Sequence, residues 1–119
     1  MSPVPRPRKT LPDAISLARL RGQVQLARYT REALFHFTIN ALGIVAFVRV
    51  RYTEQILLTI PEIVAEFHSD ISRLRAIVQA TAISRELWLR SRHGTWRFFR
   101  VTADGLVEIG RDGNVCPGS

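Results

Sequence analysis

Residues 43–53, GIVAFVRVRYT, decide the fold, because they form the one long apolar run in the chain. The run is rich in β-branched and aromatic residues and lies between a glycine and polar residues, which is typical of a β-strand. Residues 44–48 are apolar on both faces, as in an interior strand that is covered on both sides. Side chains alternate in the second half, so Arg49 and Arg51 share one face. The sequence therefore predicts two guanidinium groups at the carboxyl end of a central strand, a common ligand position in open α/β sheets.

The segments before this strand predict a helix and a first strand. Residues 10–13, TLPD, are a typical helix start, and apolar residues then recur near helical spacing, so we expect a helix over about 12–32. Gly22 weakens the middle of this helix, which indicates a bend or a close packing contact there. The alternating segment 35–39 predicts a strand, and the turn at 40–43 joins it to the central strand as an antiparallel hairpin.

The segments after the central strand predict a second helix and further strands. Thr59 and Glu62 have capping-box spacing, and apolar residues then recur every three or four positions, which predicts an amphipathic helix over about 61–79. Alternating segments separated by turn residues predict strands at 84–90, 96–101 and 106–109. The predicted fold class is α+β: helix, β-hairpin, helix, and β-hairpin with a short extra strand. Two helices pack on a mixed, mostly antiparallel sheet.

The second predicted helix carries an acidic row. Glu62, Glu66 and Asp70 recur at every fourth position, and Arg73 and Arg75 follow them. Carboxylates early in a helix and cations late in it suit the helix dipole. We interpret the row as a solvated face, with metal binding as the alternative.

The composition predicts one basic globular domain. The chain has 119 residues, of which 46% are hydrophobic and 23% charged, as in ordinary globular proteins. Its net charge of +7 comes almost wholly from arginine, since Lys9 is the only lysine. Arginine binds phosphate and carboxylate groups bidentately, so the candidate partners are nucleic acid, an acidic protein or an anionic membrane. The alternative is that the arginines are solvated surface residues.

The domain organisation follows from the composition along the chain. Residues 1–10 predict a disordered basic arm, since the first nine hold three prolines and three cations. We expect a single α+β domain over 11–110 and a flexible tail over 111–119. The single cysteine, Cys116, cannot form an internal disulfide. Residues 1–12 are rich in proline and arginine and lack the apolar region of a signal peptide, and no apolar run approaches the roughly 20 residues of a membrane span. These features predict a cytoplasmic protein without membrane association.

Cations and aromatic residues interleave in the predicted hairpin over 85–101. Arginines contact phosphates, and aromatic faces stack on unpaired bases, so this pattern favours nucleic-acid binding. The alternative is that the tryptophans pack in the core under a helix, with arginine stems lying across them. The predicted nucleic-acid-binding residues are Arg49, Arg51, Arg90, Arg92, Arg97, Arg100, Trp88 and Trp96.

Catalytic signatures are lacking in the sequence. His36, His68 and His93 are scattered, and the single cysteine lies near the end of the chain. The sequence has no nucleophile elbow, no glycine-rich phosphate loop and no metal-ligand spacing. We therefore predict no catalytic residues, no metal ligands and no cofactor.

The order helix, hairpin with a Val-x-Val-x central strand, helix and strand resembles the core of restriction-endonuclease-like (PD-(D/E)xK) nucleases, in particular the archaeal Holliday-junction-resolvase type. In that family the central strand often reads Val-Glu-Val-Lys. The glutamate binds a divalent metal, the lysine helps to activate water, and an aspartate on the preceding strand completes the metal site. The resemblance covers about residues 12–101.

The matching stretch departs from the family pattern. Residues 48–51 read VRVR, so Arg49 stands in the place of the glutamate and Arg51 in the place of the lysine. No aspartate lies between Asp13 and Asp70. The resemblance therefore implies a degenerate nuclease-like domain, since an arginine at this position repels a divalent cation.

Three functions follow from these patterns. The first is a non-catalytic nucleic-acid-binding domain, most simply a DNA-binding one, and it depends on Arg49 and Arg51 having no carboxylate partner within the chain. The second is a divergent metal-dependent DNA nuclease that uses Glu32 or Glu54. The third is a protein-interaction domain, as a homodimer, whose aromatic hairpin face is the interface.

Overall fold

The computed structural model describes residues 10–27 and 34–116. Within these ranges the chain forms α1 (Thr10–Ala18), β1 (Gln23–Leu26), β2 (Phe37–Ala41), β3 (Ile44–Thr53), α2 (Ile60–Glu66), α3 (His68–Arg75), β4 (Ile83–Ser91), β5 (Trp96–Val101) and β6 (Leu106–Ile109). The predicted basic arm, apart from Thr10, lies outside the described residues. So do the last part of the first predicted helix and the end of the predicted tail.

The six strands form one sheet in the order in which they occur along the chain. Every neighbouring pair is antiparallel except β3 and β4, which are parallel and are joined by α2 and α3. In this register Val48 pairs with Phe37 of β2, and Val50 pairs with Trp88 of β4. The predicted class is confirmed: helices pack on a mixed, mostly antiparallel sheet with residues 44–53 as an interior strand.

Each face of the sheet has its own core. On one face α1 covers side chains of the middle strands, and the fully or nearly buried residues are Ala14, Ala18, Phe37, Ile39, Ala46, Val48, Val50, Trp88, Phe98 and Ile109. On the other face α2 and α3 cover Leu87, Leu89, Phe99, Val101 and Leu106 through Ile63, Phe67, Ile71 and Leu74. The two faces of β3 differ in burial: Ala46, Val48 and Val50 are buried on the α1 face. On the other face Val45, Phe47 and Arg49 are half-buried and Arg51 is exposed.

The second predicted helix is two helices. The capping box is confirmed: the Thr59 N–H donates to Glu62 Oε1 at 2.8 Å, and the Glu62 N–H donates to Thr59 Oγ1 at 3.3 Å. The helix is interrupted at Phe67, whose φ of −106° and ψ of 31° leave the helical region. Phe67 nevertheless accepts a bond from the N–H of Ile71, so the apolar stripe continues across the break. No helix in the described ranges is long and apolar enough to cross a membrane.

The first predicted helix is wrong over residues 19–27, the described part of the prediction beyond the end of α1. Residues 23–26 form β1, which pairs with β2 so that Val24 lies opposite Ile39. Pairing with β2 gives the backbone N–H and C=O groups of β1 the hydrogen bonds that a helix would form internally. The pairing therefore outweighs the helical spacing of the apolar residues in this segment. The change occurs at Gly22, where a Cβ would clash with the carbonyl oxygen of Asn40. The close packing contact predicted at Gly22 is therefore present.

Part of the predicted tail folds back along β6. The Gly110 N–H donates to the carbonyl of Asn114 at 2.8 Å, and Val115 forms a β-bridge with Ile109. The Cys116 N–H donates to the Glu108 carbonyl at 3.3 Å. Residues 110–116 thus cover the outer edge of the sheet, because backbone bonds to β6 are available there.

Candidate functional site

Arg49 and Arg51 share a single carboxylate. Arg49 Nε and Nη2 each lie 2.9 Å from Asp70 Oδ1, and Arg51 Nη1 lies 2.7 Å from Asp70 Oδ2. The side chain of Asp70 is 4% exposed, that of Arg49 12% and that of Arg51 48%. The two arginines do share one face near the carboxyl end of β3. The condition that neither has a carboxylate partner is not met, since Asp70 binds both.

Asp70 reaches this position from the first turn of α3. It is buried, whereas Glu62 and Glu66 of the same predicted acidic row are exposed. The solvated-row interpretation is therefore wrong for Asp70. A buried carboxylate requires cationic partners, and the two guanidiniums from β3 supply them. One carboxylate against two guanidiniums leaves the trio with a net charge of +1.

His36 adjoins this trio at the start of β2. Its Nδ1 accepts a hydrogen bond from the Val50 N–H at 2.8 Å. Burial, together with the Arg49 charge, lowers the pKa of His36 to about 4. The imidazole is therefore neutral at physiological pH and carries its proton on Nε2. A cavity of about 310 Å³ beside it is lined by Thr10, Leu11, His36, Val50, Arg51 and Tyr52.

The hairpin arginines divide between the two faces of the sheet. On the α1 face, Arg90 Nη2 lies 3.2 Å from Asp13 Oδ2, and Arg100 donates to the Ser84 hydroxyl at 3.1 Å. On the other face, Arg97 forms a bidentate pair with Glu108, with both distances 2.9 Å.

Arg97 also holds the loop before α2. Its Nη1 donates to the carbonyls of Ile56 and Leu58 at 2.8 and 2.7 Å, and its guanidinium lies 5.0 Å from the Phe99 ring centroid. The bonds to Glu108 raise the pKa of Arg97. Arg97 therefore stabilises the fold, and it does not join Arg90 and Arg100 on one surface.

Arg92 differs from the other predicted arginines. It lies in the turn between β4 and β5, is exposed, and has no ion-pair partner in the part of the chain that the structure describes. Arg51 and Arg92 are thus the predicted cations that keep substantial contact with solvent.

The tryptophans pack on the α1 face. Register pairs Trp88 with Phe98 and Arg90 with Trp96, so these four side chains share one face of the hairpin. Trp88 is 1% exposed, and its Nε1 donates to Glu86 at 2.9 Å. Trp96 is half-buried and stacks parallel to Phe98 at a centroid distance of 6.0 Å. Trp88 fits the core-packing alternative, because its ring is inaccessible to a base in this conformation.

The acidic residues of the described ranges do not converge. No group of three or more His, Cys, Asp or Glu residues there is arranged to hold a metal ion. Glu54 is exposed just after β3. Glu32 lies outside the described residues.

Comparisons with known proteins give no relative. No family model matches the chain, no curated protein matches it, and no solved structure matches it. Function is therefore inferred from the charges and geometry of its own residues.

Proposed function

We propose that this domain binds nucleic acid without catalysis, through arginine contacts to backbone phosphates on a degenerate nuclease-like core. The condition set by the sequence, that Arg49 and Arg51 have no carboxylate partner, is not met, because Asp70 binds both. The observation that carries the proposal instead is the solvent exposure of Arg51 at the carboxyl end of β3. Arg51 shares the carboxylate of Asp70 with Arg49, and nearly half of the Arg51 side chain stays exposed. Exposed cations at this end of the sheet attract a polyanion.

Further cations lie at the same end. Arg92 directly follows β4, and β4 runs parallel to β3, so Arg51 and Arg92 both lie toward the carboxyl ends of these two strands. The first turn of α1 also reaches this end of the sheet, since Asp13 contacts Arg90. In the sequence α1 is preceded by three more cations, Arg6, Arg8 and Lys9. The proposed contacts to phosphate are therefore Arg51 and Arg92.

The nuclease-like part of the proposal is supported by chain order. The β2–β3 hairpin, the helical crossover of α2 and α3 and the parallel strand β4 follow α1 in the order on which the resemblance rests, with the additional strand β1 between α1 and β2. Arg49 occupies the place of the family's metal-binding glutamate and bonds to Asp70. A guanidinium there repels a divalent cation, which favours binding over metal-dependent cleavage.

The test measures binding of a fluorescently labelled DNA duplex by anisotropy at several salt concentrations. We expect log K to fall linearly with log salt, because phosphate contacts release counterions. Arg51→Gln and Arg92→Gln should each weaken binding and reduce the slope by about 0.9, the loss of one phosphate contact. Arg111→Gln is the matched control, since it removes an exposed arginine on the loop after β6.

Two results would contradict the proposal. One is affinity that does not change between low and high salt. The other is equal weakening in Arg51→Gln, Arg92→Gln and the Arg111→Gln control, which would reflect net charge alone. Incubation of the wild-type protein with branched DNA and Mg²⁺ or Mn²⁺ completes the test, and we expect no cleavage.

The other two functions lack a supporting observation. A nuclease needs carboxylates that converge, and the described residues hold no such group. An interface on the aromatic hairpin face needs that face to be open, whereas α1 covers Trp88 and Phe98.

A further inference from the structure

The cavity of about 310 Å³ beside His36 lies at the carboxyl end of β3. The first two residues of α1 and residues 50–52 of β3 line it together with His36. Leu11 and Val50 are aliphatic and Tyr52 is aromatic, so much of the lining is carbon. The volume is at the small end of ligand sites in proteins and therefore suits a single ring system.

Two buried side-chain atoms in the described ranges have no hydrogen-bond partner, and both lie at this end of the α1 face. One is Oγ1 of Thr10, a residue that is 4% exposed and lines the cavity. The other is Nε of Arg90, which pairs in the sheet register with Tyr52. Buried polar groups are nearly always hydrogen-bonded, because leaving one unpaired is costly. The Thr10 hydroxyl therefore indicates a place where a bound molecule supplies the partner.

His36 contributes a second donor to the cavity. Its Nδ1 accepts from the Val50 N–H, so its proton is on Nε2. No residue in the part of the chain that the structure describes accepts a hydrogen bond from Nε2. The imidazole is neutral at physiological pH, so this N–H offers a hydrogen bond without a charge.

The edge of β3 adds a backbone donor and a backbone acceptor. β2 begins at Phe37 opposite Val48, so within residues 10–27 and 34–116 β3 has no strand partner on this side beyond Val50. Backbone groups point to alternate sides along a strand, and the Val50 N–H points to this side. The Val50 carbonyl and the Tyr52 N–H therefore face the same way, and both residues line the cavity.

The chemistry of these groups favours a nucleobase over an anion. The donors are the Thr10 hydroxyl, the His36 Nε2–H and the Tyr52 N–H, and they stand beside one acceptor, the Val50 carbonyl. A phosphate or a carboxylate only accepts hydrogen bonds, so it would leave that carbonyl unpaired. A base carries donors and acceptors along its edges, and its apolar faces suit an aliphatic and aromatic lining.

We propose that this cavity binds one unpaired base of a nucleic-acid strand. The inference rests on the proposed function, in which Arg51 and Arg92 contact phosphates at the same end of the sheet. Arg51 directs its side chain to the opposite face of β3 from Val50 and Tyr52, so it contacts phosphate outside the cavity. A paired base must leave the stack before it can enter, which costs free energy. The domain should therefore prefer DNA with an unpaired base over a fully paired duplex.

The test compares three labelled duplexes by anisotropy with the wild-type protein. One is fully paired, one has a single unpaired nucleotide, and one has an abasic nucleotide at the unpaired position. We expect about fivefold tighter binding, or more, when the unpaired base is present, and loss of this preference with the abasic nucleotide. The abasic duplex keeps the added phosphate and the added flexibility. Equal affinity for it would overturn the inference, since flexibility alone would then explain the preference.

Thr10→Val separates a binding role from a structural one, because it removes the hydroxyl at nearly constant volume. The preference for the unpaired base should fall by about threefold or more. The melting temperature of the free protein should rise by about 2–5 °C, since an unpartnered buried hydroxyl is removed. Thr81→Val is the matched control, because it makes the same change at an exposed residue before β4, and neither quantity should change. A lower melting temperature or an unchanged preference in Thr10→Val would overturn the inference.

NMR of the wild-type protein distinguishes this inference from the proposed function. Titration with each of the four deoxynucleosides, which carry no phosphate, should give saturable amide shifts at Leu11, His36 and Tyr52. The nucleoside that binds most tightly names the base. Salt-dependent DNA binding without nucleoside shifts at these amides would overturn the inference and leave the proposed function in place. Nucleoside shifts without salt-dependent DNA binding would support the cavity and contradict the proposed contacts to phosphate.

Discussion

The imidazole Nδ1 of His36 accepts a hydrogen bond from the backbone N–H of Val50 at 2.8 Å. β2 begins at Phe37, which pairs with Val48, so the N–H of Val50 lies beyond the last pair of that ladder. The His36 ring thus accepts the hydrogen bond that a backbone carbonyl would accept if the β2–β3 pairing continued as far as Val50. The bond exists only while Nδ1 is unprotonated.

This bond predicts a pH-dependent loss of stability. The pKa of His36 is about 4 in the folded protein and about 6.5 in the unfolded chain, so the unfolded state binds the proton first as pH falls. The contribution of His36 to stability is fully present above pH 6.5 and is lost as pH falls through about 4. His36→Asn keeps an acceptor oxygen that does not titrate. We expect urea unfolding to show that the wild-type protein loses stability relative to this variant between about pH 7 and pH 4.5.

The control for this prediction is His68→Asn. His68 is exposed on α3, and its replacement removes a histidine without removing the bond to Val50. Its stability should follow the wild-type profile with pH. If the unfolding free energies of the wild type and of His36→Asn change in parallel with pH, the bond from Val50 does not contribute to the loss of stability at low pH.

The shared carboxylate of Asp70 gives a prediction with two opposite readouts. Asp70→Asn removes the carboxylate charge from its bonds to Arg49 and Arg51 in a largely buried site, which should lower the free energy of unfolding by about 3 kcal/mol. The same change raises the net charge of the trio of Arg49, Arg51 and residue 70 from +1 to +2. The proposed DNA binding should therefore become tighter and more salt-dependent. Urea unfolding and anisotropy on the same preparation measure the two effects.

Glu66→Gln separates this effect from net charge. It makes the same charge change at an exposed residue of α2, so its stability should change by at most about 0.5 kcal/mol. Its affinity for DNA should rise less than that of Asp70→Asn. Equal gains in affinity would show that DNA does not approach the Arg49–Arg51 pair.

Arg97 is expected to act on stability and not on binding. It connects Glu108 of β6 with the carbonyls of Ile56 and Leu58, which lie in the loop before α2. Arg97→Lys cannot reproduce the bidentate pair and both carbonyl bonds, and we expect a loss of about 1–3 kcal/mol in unfolding free energy. DNA affinity measured well below the melting temperature should remain unchanged. Weaker binding by the folded variant would restore Arg97 to the proposed interface.

Much of the fold is predictable because it is encoded locally. Alternating residues and turn glycines specify β3 to β6, and the spacing of Thr59 and Glu62 specifies the start of α2. β1 is not encoded in this way. Its apolar residues fit helical spacing equally well, and it exists as a strand because β2 offers backbone partners. A contact between segments separated in sequence decides its conformation.

The site shows the same division. Strand alternation places Arg49 and Arg51 on one face near the carboxyl end of β3, as the sequence predicts. Their partner is about twenty residues away, on a helix whose acidic spacing suggests solvent exposure. The one available signal was that Asp70 directly precedes a residue of the apolar stripe, Ile71. The break at Phe67 and the packing of α3 on β3, which no local pattern specifies, bring the carboxylate to both arginines.

The last prediction concerns Gly113, where an added side chain would meet the buried ion pair between Arg21 and Glu86. Its φ is +86°, and a Cβ there would lie 2.6 Å from Nη2 of Arg21. Arg21 cannot easily move aside, because it is bound through two nitrogens to the buried carboxylate of Glu86.

Gly43 is the matched control: its φ is +73°, and a Cβ there has no neighbour within 4 Å. Both alanine variants bear the cost of about 1–2 kcal/mol for a left-handed conformation, and Gly113→Ala should cost about 1–3 kcal/mol more from the clash. In an Arg21→Met background this excess should vanish, whereas an excess that persists in urea unfolding would mean that Arg21 is not the obstacle.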